Sequence, residues 1–166
     1  PFESWLLLRG LKTLALRVEH QNSSAGKIAR FLRTRGEVAR VFYPGLDDHP
    51  SREVHQKQAS GNGAVVSFTT GDAKLSSAIV ESTRLFKVAV SFGSVGSTIS
   101  LPCRMSHASI PSELRDRLAP PSDLVRISVG IEDVNDLLED LEHAFELSPR
   151  HKELEEARLI LASAST

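Results

Sequence analysis

Apolar positions follow two periods along the chain. Residues 4–35 hold no proline, and Leu7, Leu11, Leu14 and Val18 recur at helical spacing. Ile28, Phe31 and Leu32 resume the stripe after the polar Gln21-Asn22-Ser23-Ser24. This pattern predicts one long amphipathic helix, a rod of about 45 Å at the helical rise. Gly10 or Gly26 would mark a bend or a close contact, because each weakens a helix relative to alanine. Such a rod exceeds what a small core needs, so part of it is expected to pack against something outside this chain.

After Gly36 the period shortens. Val38 to Tyr43 is β-branched and aromatic and stops at Pro44-Gly45, which predicts a strand and a turn. A short exposed helix suits the polar residues 51–60. Gly61-Asn62-Gly63 leads into a strand over 64–70, and Asp72 is placed to cap a helix over 73–83 with Leu75 and Ile79 facing inward. Phe86, Val88, Val90 and Phe92 alternate with Lys87, Ala89 and Ser91, the pattern of a half-buried strand. Residues 93–110 are rich in Gly and Ser and read as a loop. Pro111 suits the first position of a helix over 111–118. In the strand 124–129, Val125, Ile127 and Val129 face one way while Arg126 and Ser128 face the other. Gly130 is expected to end this strand in a conformation that a Cβ would strain. A last helix begins near Glu132-Asp133, where acidic residues suit the helix dipole, and turns Val134, Leu137, Leu138, Leu141 and Phe145 inward. The expected fold is α+β: a long N-terminal helix, then about four mainly antiparallel strands with helices on one face. Residues 1–146 form one domain and 147–166 a tail or extra helix.

Composition narrows the function more by exclusion than by indication. With 166 residues and 18.1 kDa, the chain has room for one domain. Twenty basic and 21 acidic residues leave a net charge of -1, so no field draws nucleic acid or an acidic membrane surface. No apolar run reaches membrane-spanning length. The single cysteine, Cys103, excludes an internal disulfide framework. Phosphate-loop, dinucleotide-binding and zinc-protease motifs are missing, and the six histidines are scattered, so no metal site is expected. Pro1-Phe2-Glu3-Ser4 runs straight into Trp5-Leu6-Leu7-Leu8 without an initiator Met, as if the chain were cut from a longer one.

Two segments carry candidate chemistry. Ser91-Phe92-Gly93-Ser94-Val95-Gly96-Ser97 runs on to Pro102-Cys103-Arg104-Met105-Ser106-His107, and Leu124-Val125-Arg126-Ile127-Ser128-Val129-Gly130-Ile131-Glu132 follows. An arginine on the polar face of an otherwise apolar strand is a natural bidentate fork for a carboxylate. On the pattern alone, a surface ion pair with Glu or Asp is the commoner reading of Arg126, and a plain loop that of the Gly/Ser segment.

Those segments, with Leu8-Arg9-Gly10-Leu11-Lys12-Thr13-Leu14 and Arg17 before them and Asp133 after, span about residues 3–146. In this order they resemble the C-terminal small domain of the Cys/Met-metabolism family of pyridoxal-phosphate enzymes, which have the aspartate-aminotransferase-type fold. Ser-Phe-Gly-Ser-Val followed by Pro-Cys and Met-Ser-His-Ala-Ser-Ile-Pro is most similar to the plant and fungal branch that cleaves cystathionine to homocysteine, pyruvate and ammonia. The resemblance implies that Arg126 binds the substrate α-carboxylate. Ser91 would lie beside the substrate and the Schiff-base lysine, with the backbone at Phe92 completing the pocket. Gly93, Gly96 and Ser97 would form its rim. Gly96 departs from the larger residues of many relatives, which leaves the distal substrate group open. The family's catalytic lysine belongs to an N-terminal domain, and none of Lys12, Lys27, Lys57, Lys74, Lys87 and Lys152 lies in its motif. The resemblance therefore implies pyridoxal 5'-phosphate in the intact enzyme but not held by this chain alone, a lysine-bearing N-terminal domain as partner, a homo-oligomer (a tetramer), and a cytoplasmic or plastid location. The γ-synthase, γ-lyase and sulfhydrylase branches, or a stand-alone non-catalytic interaction domain, are the alternatives.

Overall fold

The computed structural model describes residues 1–110, 114 and 117–148. Most of the helix expected over 111–118 and nearly all of the tail 147–166 lie outside the described residues.

The expected N-terminal rod is two helices, α1 (Phe2–Leu11) and α2 (Leu14–Arg33), divided at Lys12-Thr13. The break falls at neither glycine. The Gly10 carbonyl accepts from the Thr13 backbone N–H at 3.4 Å, and from Arg17 Nη1 at 3.1 Å. Side-chain and turn donors thus compete for a carbonyl that an unbroken helix would use internally. Helix α2 buries Gln21, Ser24, Ala25, Ile28, Ala29 and Leu32, whereas α1 buries nothing. The predicted stripe of Leu7, Leu11, Leu14 and Val18 stays exposed in this chain.

Strands β1 (Arg40–Phe42), β2 (Val65–Thr69), β3 (Lys87–Val88), β4 (Thr98–Ser100) and β5 (Val125–Ser128) form one sheet in the order β1-β2-β5-β4-β3. All junctions are antiparallel except β3–β4. Helix α3 (Arg52–Gln58) follows β1. Helix α4 (Ala73–Ser82) starts at Asp72, whose side chain accepts from Lys74 N, as the sequence predicts. Helix α5 (Val134–Glu146) closes the described chain and buries Val134, Leu137, Asp140, Leu141, Ala144 and Phe145.

The core lies between one sheet face and helices α2, α4 and α5. Val66, Phe68, Ile99, Val125 and Ile127 meet Ile28, Leu32, Ile79, Leu137 and Leu141 there. Phe145 packs against Phe68 with ring centroids 6.1 Å apart. The expected layer of helices on one face is present. The sheet has a fifth strand, β4, within the stretch read as loop. Thr-Ile-Ser is too short to show a period, and it becomes a strand by pairing with β5. The predicted strand 86–92 shrinks to Lys87–Val88. Phe86 is buried, but Val88, Val90 and Phe92 are each more than half exposed, because the chain leaves the sheet edge after Val88.

Asp140 reaches from α5 to the turn after α4, where its carboxylate accepts from the backbone N–H groups of Arg84 (2.8 Å) and Leu85 (2.9 Å). This capping fixes where β3 begins. On the opposite side of the domain, Tyr43, the sole tyrosine, is 2 % exposed and donates its phenol to the Gly63 carbonyl at 3.0 Å. Burial pushes this phenol above its ordinary value, and the Arg30 charge opposes the shift only in part. The folded state therefore holds the proton more tightly than the unfolded chain does. That stability is fully present below the ordinary tyrosine pKa of about 10 and is lost as pH rises through the raised value. Thermal melts at rising alkaline pH should show a loss that Tyr43→Phe removes, and phenolate absorbance should appear late in the folded chain.

Candidate carboxylate-binding site

The site follows from the alternation of β5. Val125 and Ile127 are fully buried in the core, which forces Arg126 and Ser128 onto the other face. The register sets Ser67 on one side of Arg126 and Ser100 on the other, and sets Ser128 between Val65 and Thr98. The segment 89–97, which connects β3 to β4, runs along this polar side. Arg126 Nη2 donates to the Val90 carbonyl at 3.1 Å, and the guanidinium carbon lies 4.8 Å from the centre of the Phe92 ring. Gly93 N–H donates to Ser128 Oγ at 3.1 Å. Gly93 has φ of +87°, a left-handed conformation in which a side chain would be strained.

These contacts hold the guanidinium over an aromatic ring, with one donor engaged by Val90 among the described residues. Four ion pairs join described residues: Arg33–Asp48, Arg35–Glu37, Arg35–Glu142 and Arg52–Asp47. Arg126 is in none of them, so the surface ion pair that its sequence pattern suggests does not form among the described residues. An unpaired, oriented guanidinium offers two parallel N–H bonds to an incoming carboxylate.

The predicted site residues divide into two groups. Phe92 stacks on Arg126, and Ser91, exposed, adjoins it with its carbonyl accepting from Thr98 Oγ1 at 3.2 Å. Gly93 joins them through Ser128. Gly96 and Ser97 lie at the far end of the segment. Gly96 has room for a side chain, since an added Cβ would meet only Glu132 Oε1 at 3.8 Å. Ser97 is fully buried and lies beneath the rim rather than on it.

Glu132 corrects the sequence reading. It precedes the helix, whose N-cap is Asp133 accepting from Asn135 N at 2.7 Å. Glu132 instead turns back, its Oε1 accepting from Ser97 N at 2.6 Å and its Oε2 from Ser97 Oγ at 2.9 Å. Gly130 is also corrected: it is not among the positive-φ glycines. What a side chain there would meet is the Val95 carbonyl, 2.3 Å from an added Cβ. Gln21, which in the sequence reads only as part of a polar interruption of the stripe, donates from α2 to the Ser94 carbonyl at 2.9 Å. A polar residue on the buried stripe of α2 was the available signal. Elsewhere, Cys103 is a free thiol, and no group of three His, Cys, Asp or Glu among the described residues is placed to hold a metal.

The model of the Cys/Met metabolism PLP-dependent enzyme family matches residues 1–146. The chain belongs to this family. It is 55% identical over 149 residues to the chloroplastic cystathionine beta-lyase of Arabidopsis thaliana, covering 90% of this chain and 32% of that protein. It is 52% identical over 144 residues to the cystathionine beta-lyase of Neurospora crassa, covering 87% and 31%. The crystal structure of metB from Corynebacterium glutamicum superposes with a TM-score of 0.82 at 43% identity, covering 87% of this chain and 37% of that one. The chain thus spans about a third of the length of the curated relatives it matches. The expected small-domain fold of the pyridoxal-phosphate enzymes is the one observed.

The family's cofactor is pyridoxal phosphate. It asks for an amine to condense with its aldehyde, donors for its phosphate and a partner for its ring nitrogen. Among the described residues no lysine is hydrogen-bonded to Arg126, Ser91 or Phe92. The donors around Arg126 are a guanidinium and hydroxyls, a set matched to a carboxylate. This set has no amine for the aldehyde and no partner for the ring nitrogen. The described residues contain no helix long and apolar enough to cross a membrane.

Proposed function

We propose that this chain forms the small domain of a pyridoxal-phosphate carbon–sulfur lyase that cleaves the Cβ–S bond of cystathionine by elimination, giving homocysteine and, with uptake of water, pyruvate and ammonia. The observation that carries this reading is the unpaired Arg126 guanidinium stacked on Phe92, in a chain more than half identical to two cystathionine beta-lyases. Arg126 grips the α-carboxylate of the amino-acid substrate, while Ser91 and the Phe92 backbone close the pocket beside it. Gripping the carboxylate on a rigid strand orients the Cα–H and Cβ–S bonds for reaction. The cofactor, held by the lysine-bearing domain, supplies the electron sink.

Helix α1 supports association with that domain. At about 100° per residue, Trp5, Leu6, Leu7 and Leu8 alone occupy the whole circumference of the helix, and all four are exposed. A helix apolar all round belongs in an interior. The lysine-bearing N-terminal domain, within a homo-oligomer that we take to be a tetramer, supplies that cover. The compartment is cytoplasm or plastid, the latter by analogy with the chloroplastic relative.

Product analysis tests the activity. The intact enzyme given cystathionine should release pyruvate and homocysteine, and α-ketobutyrate with cysteine would assign it to the γ-cleaving branch instead. This chain alone, mixed with pyridoxal phosphate and reduced with borohydride, should show sparse label on several exposed lysines and no turnover. One stoichiometrically labelled lysine together with cystathionine turnover would refute the division of labour between domains.

A further inference from the structure

The connection 89–97 is held at Val90, Gly93, Ser94, Val95 and Ser97, and its strongest anchor is remote from Arg126. Near the fork, Val90 is held by Arg126 and Gly93 by Ser128. In the middle, Gln21 of α2 holds Ser94. At the far end Ile131 N–H donates to the Val95 carbonyl at 2.9 Å, and Glu132 takes both donors of Ser97. The proton directions at this end are determined. Gly130 N–H donates to Ser97 Oγ at 2.8 Å, so the hydroxyl proton of Ser97 must point to Glu132. A carboxylate accepts at both oxygens, and both are used. Between the anchors, the Ser91 carbonyl accepts from Thr98 Oγ1 and the Phe92 ring meets Arg126, so their placement follows from these contacts and from the two ends.

We propose that Glu132 is a positioning residue that, through Ser97, holds the Ser91–Phe92 turn against Arg126 in the geometry a substrate carboxylate needs. The proposal rests on the carboxylate role of Arg126 given above. An amide cannot replace this carboxylate. If its oxygen accepts from Ser97 N–H, its NH2 group faces the Ser97 hydroxyl, which can take that donor on its second lone pair only by turning its own proton away from residue 132, so the charge-assisted O–H bond is lost. One bond of the pair is lost whichever way the amide turns. With that bond lost, the far end keeps the Ile131–Val95 and Gly130–Ser97 bonds but not the carboxylate that closes on both donors of Ser97, so the segment loosens and the Phe92 ring braces the guanidinium less firmly.

The test compares Glu132→Gln, Ser97→Ala, their double variant and Arg126→Ala in the intact enzyme. Amide hydrogen exchange at Ser97, Gly130 and Ile131 reads the anchor. Chemical-shift titration with propionate, a carboxylate without an amine, reads the fork. Glu132→Gln should speed exchange at those amides and raise the propionate Kd about tenfold, the scale of one lost charge-assisted hydrogen bond. KM for cystathionine should rise more than kcat falls. Ser97→Ala should do the same, and the double variant should be no worse than either single one, because both break the same bond. Should Glu132→Gln not fold, Ser97→Ala carries the test alone. Faster exchange with unchanged propionate affinity would overturn the proposal and leave Arg126 as the fork. Unchanged exchange, or additive effects, would overturn it too. If Arg126→Ala keeps its propionate affinity, the carboxylate role itself fails and the proposal fails with it.

Discussion

Arg126→Ala should lower kcat/KM of the intact enzyme for cystathionine by about 30-fold to a few thousand-fold. Truncating one partner of a desolvated, hydrogen-bonded charge pair costs about 2–5 kcal/mol, and each 1.4 kcal/mol is about tenfold. The structure favours a substantial loss. The side chain is braced by the Val90 carbonyl and the Phe92 ring, so little ordering remains to be done when a carboxylate arrives. Arg126→Lys should recover only part of the activity, since an ammonium cannot supply the planar fork or the same stacking. Added guanidinium should partly rescue the alanine variant. If Arg126→Ala kept near-wild-type kcat/KM while a Ser91 variant did not, the carboxylate would be bound elsewhere in the pocket.

Gly130→Val should be the most damaging single change to the fold around the site. A Cβ at this position would come within 2.3 Å of the Val95 carbonyl oxygen and 2.7 Å of the Gly96 carbonyl carbon. Both are backbone atoms, so relief requires moving the segment rather than rotating a side chain. It would also lie 2.3 Å from Glu132 Oε2, the oxygen that accepts from Ser97. Overpacking of this kind costs about 1–3 kcal/mol, and valine adds two methyl groups to the clash. The melting midpoint should fall by about 2–4 °C for each kcal/mol in a chain of this size. Gly130→Ala should show the effect of the Cβ alone. Gly96→Ala is the control: its Cβ makes only an ordinary contact with Glu132 Oε1 at 3.8 Å and should be nearly neutral. An unchanged midpoint in Gly130→Ala would show that the two segments separate at little cost.

What could be read from the residues themselves is what neighbours along the chain decide. The Asp72 cap, the inward stripe of α5 and the opposed faces of β5 depend on spacings of two to four residues, and each is present as expected. Arg126 is legible as a candidate fork because Val125 and Ile127 fix its direction, and the family resemblance implies a carboxylate for it. The rest depended on partners distant in sequence. Strand β4 exists because Ile99 finds Ile127 across the sheet. The alternation after Phe86 counts for little because that edge of the sheet ends at Val88. Glu132 looks like a helix-starting acid until Ser97 arrives from 35 residues away to claim both of its oxygens. Gly130 was singled out for its backbone freedom, yet what it supplies is space for another strand of chain. Periodicity reports which face of an element is apolar, but not what lies opposite. That is set by the closure of long loops, and so the same leucine pattern that buries α5 leaves α1 uncovered here.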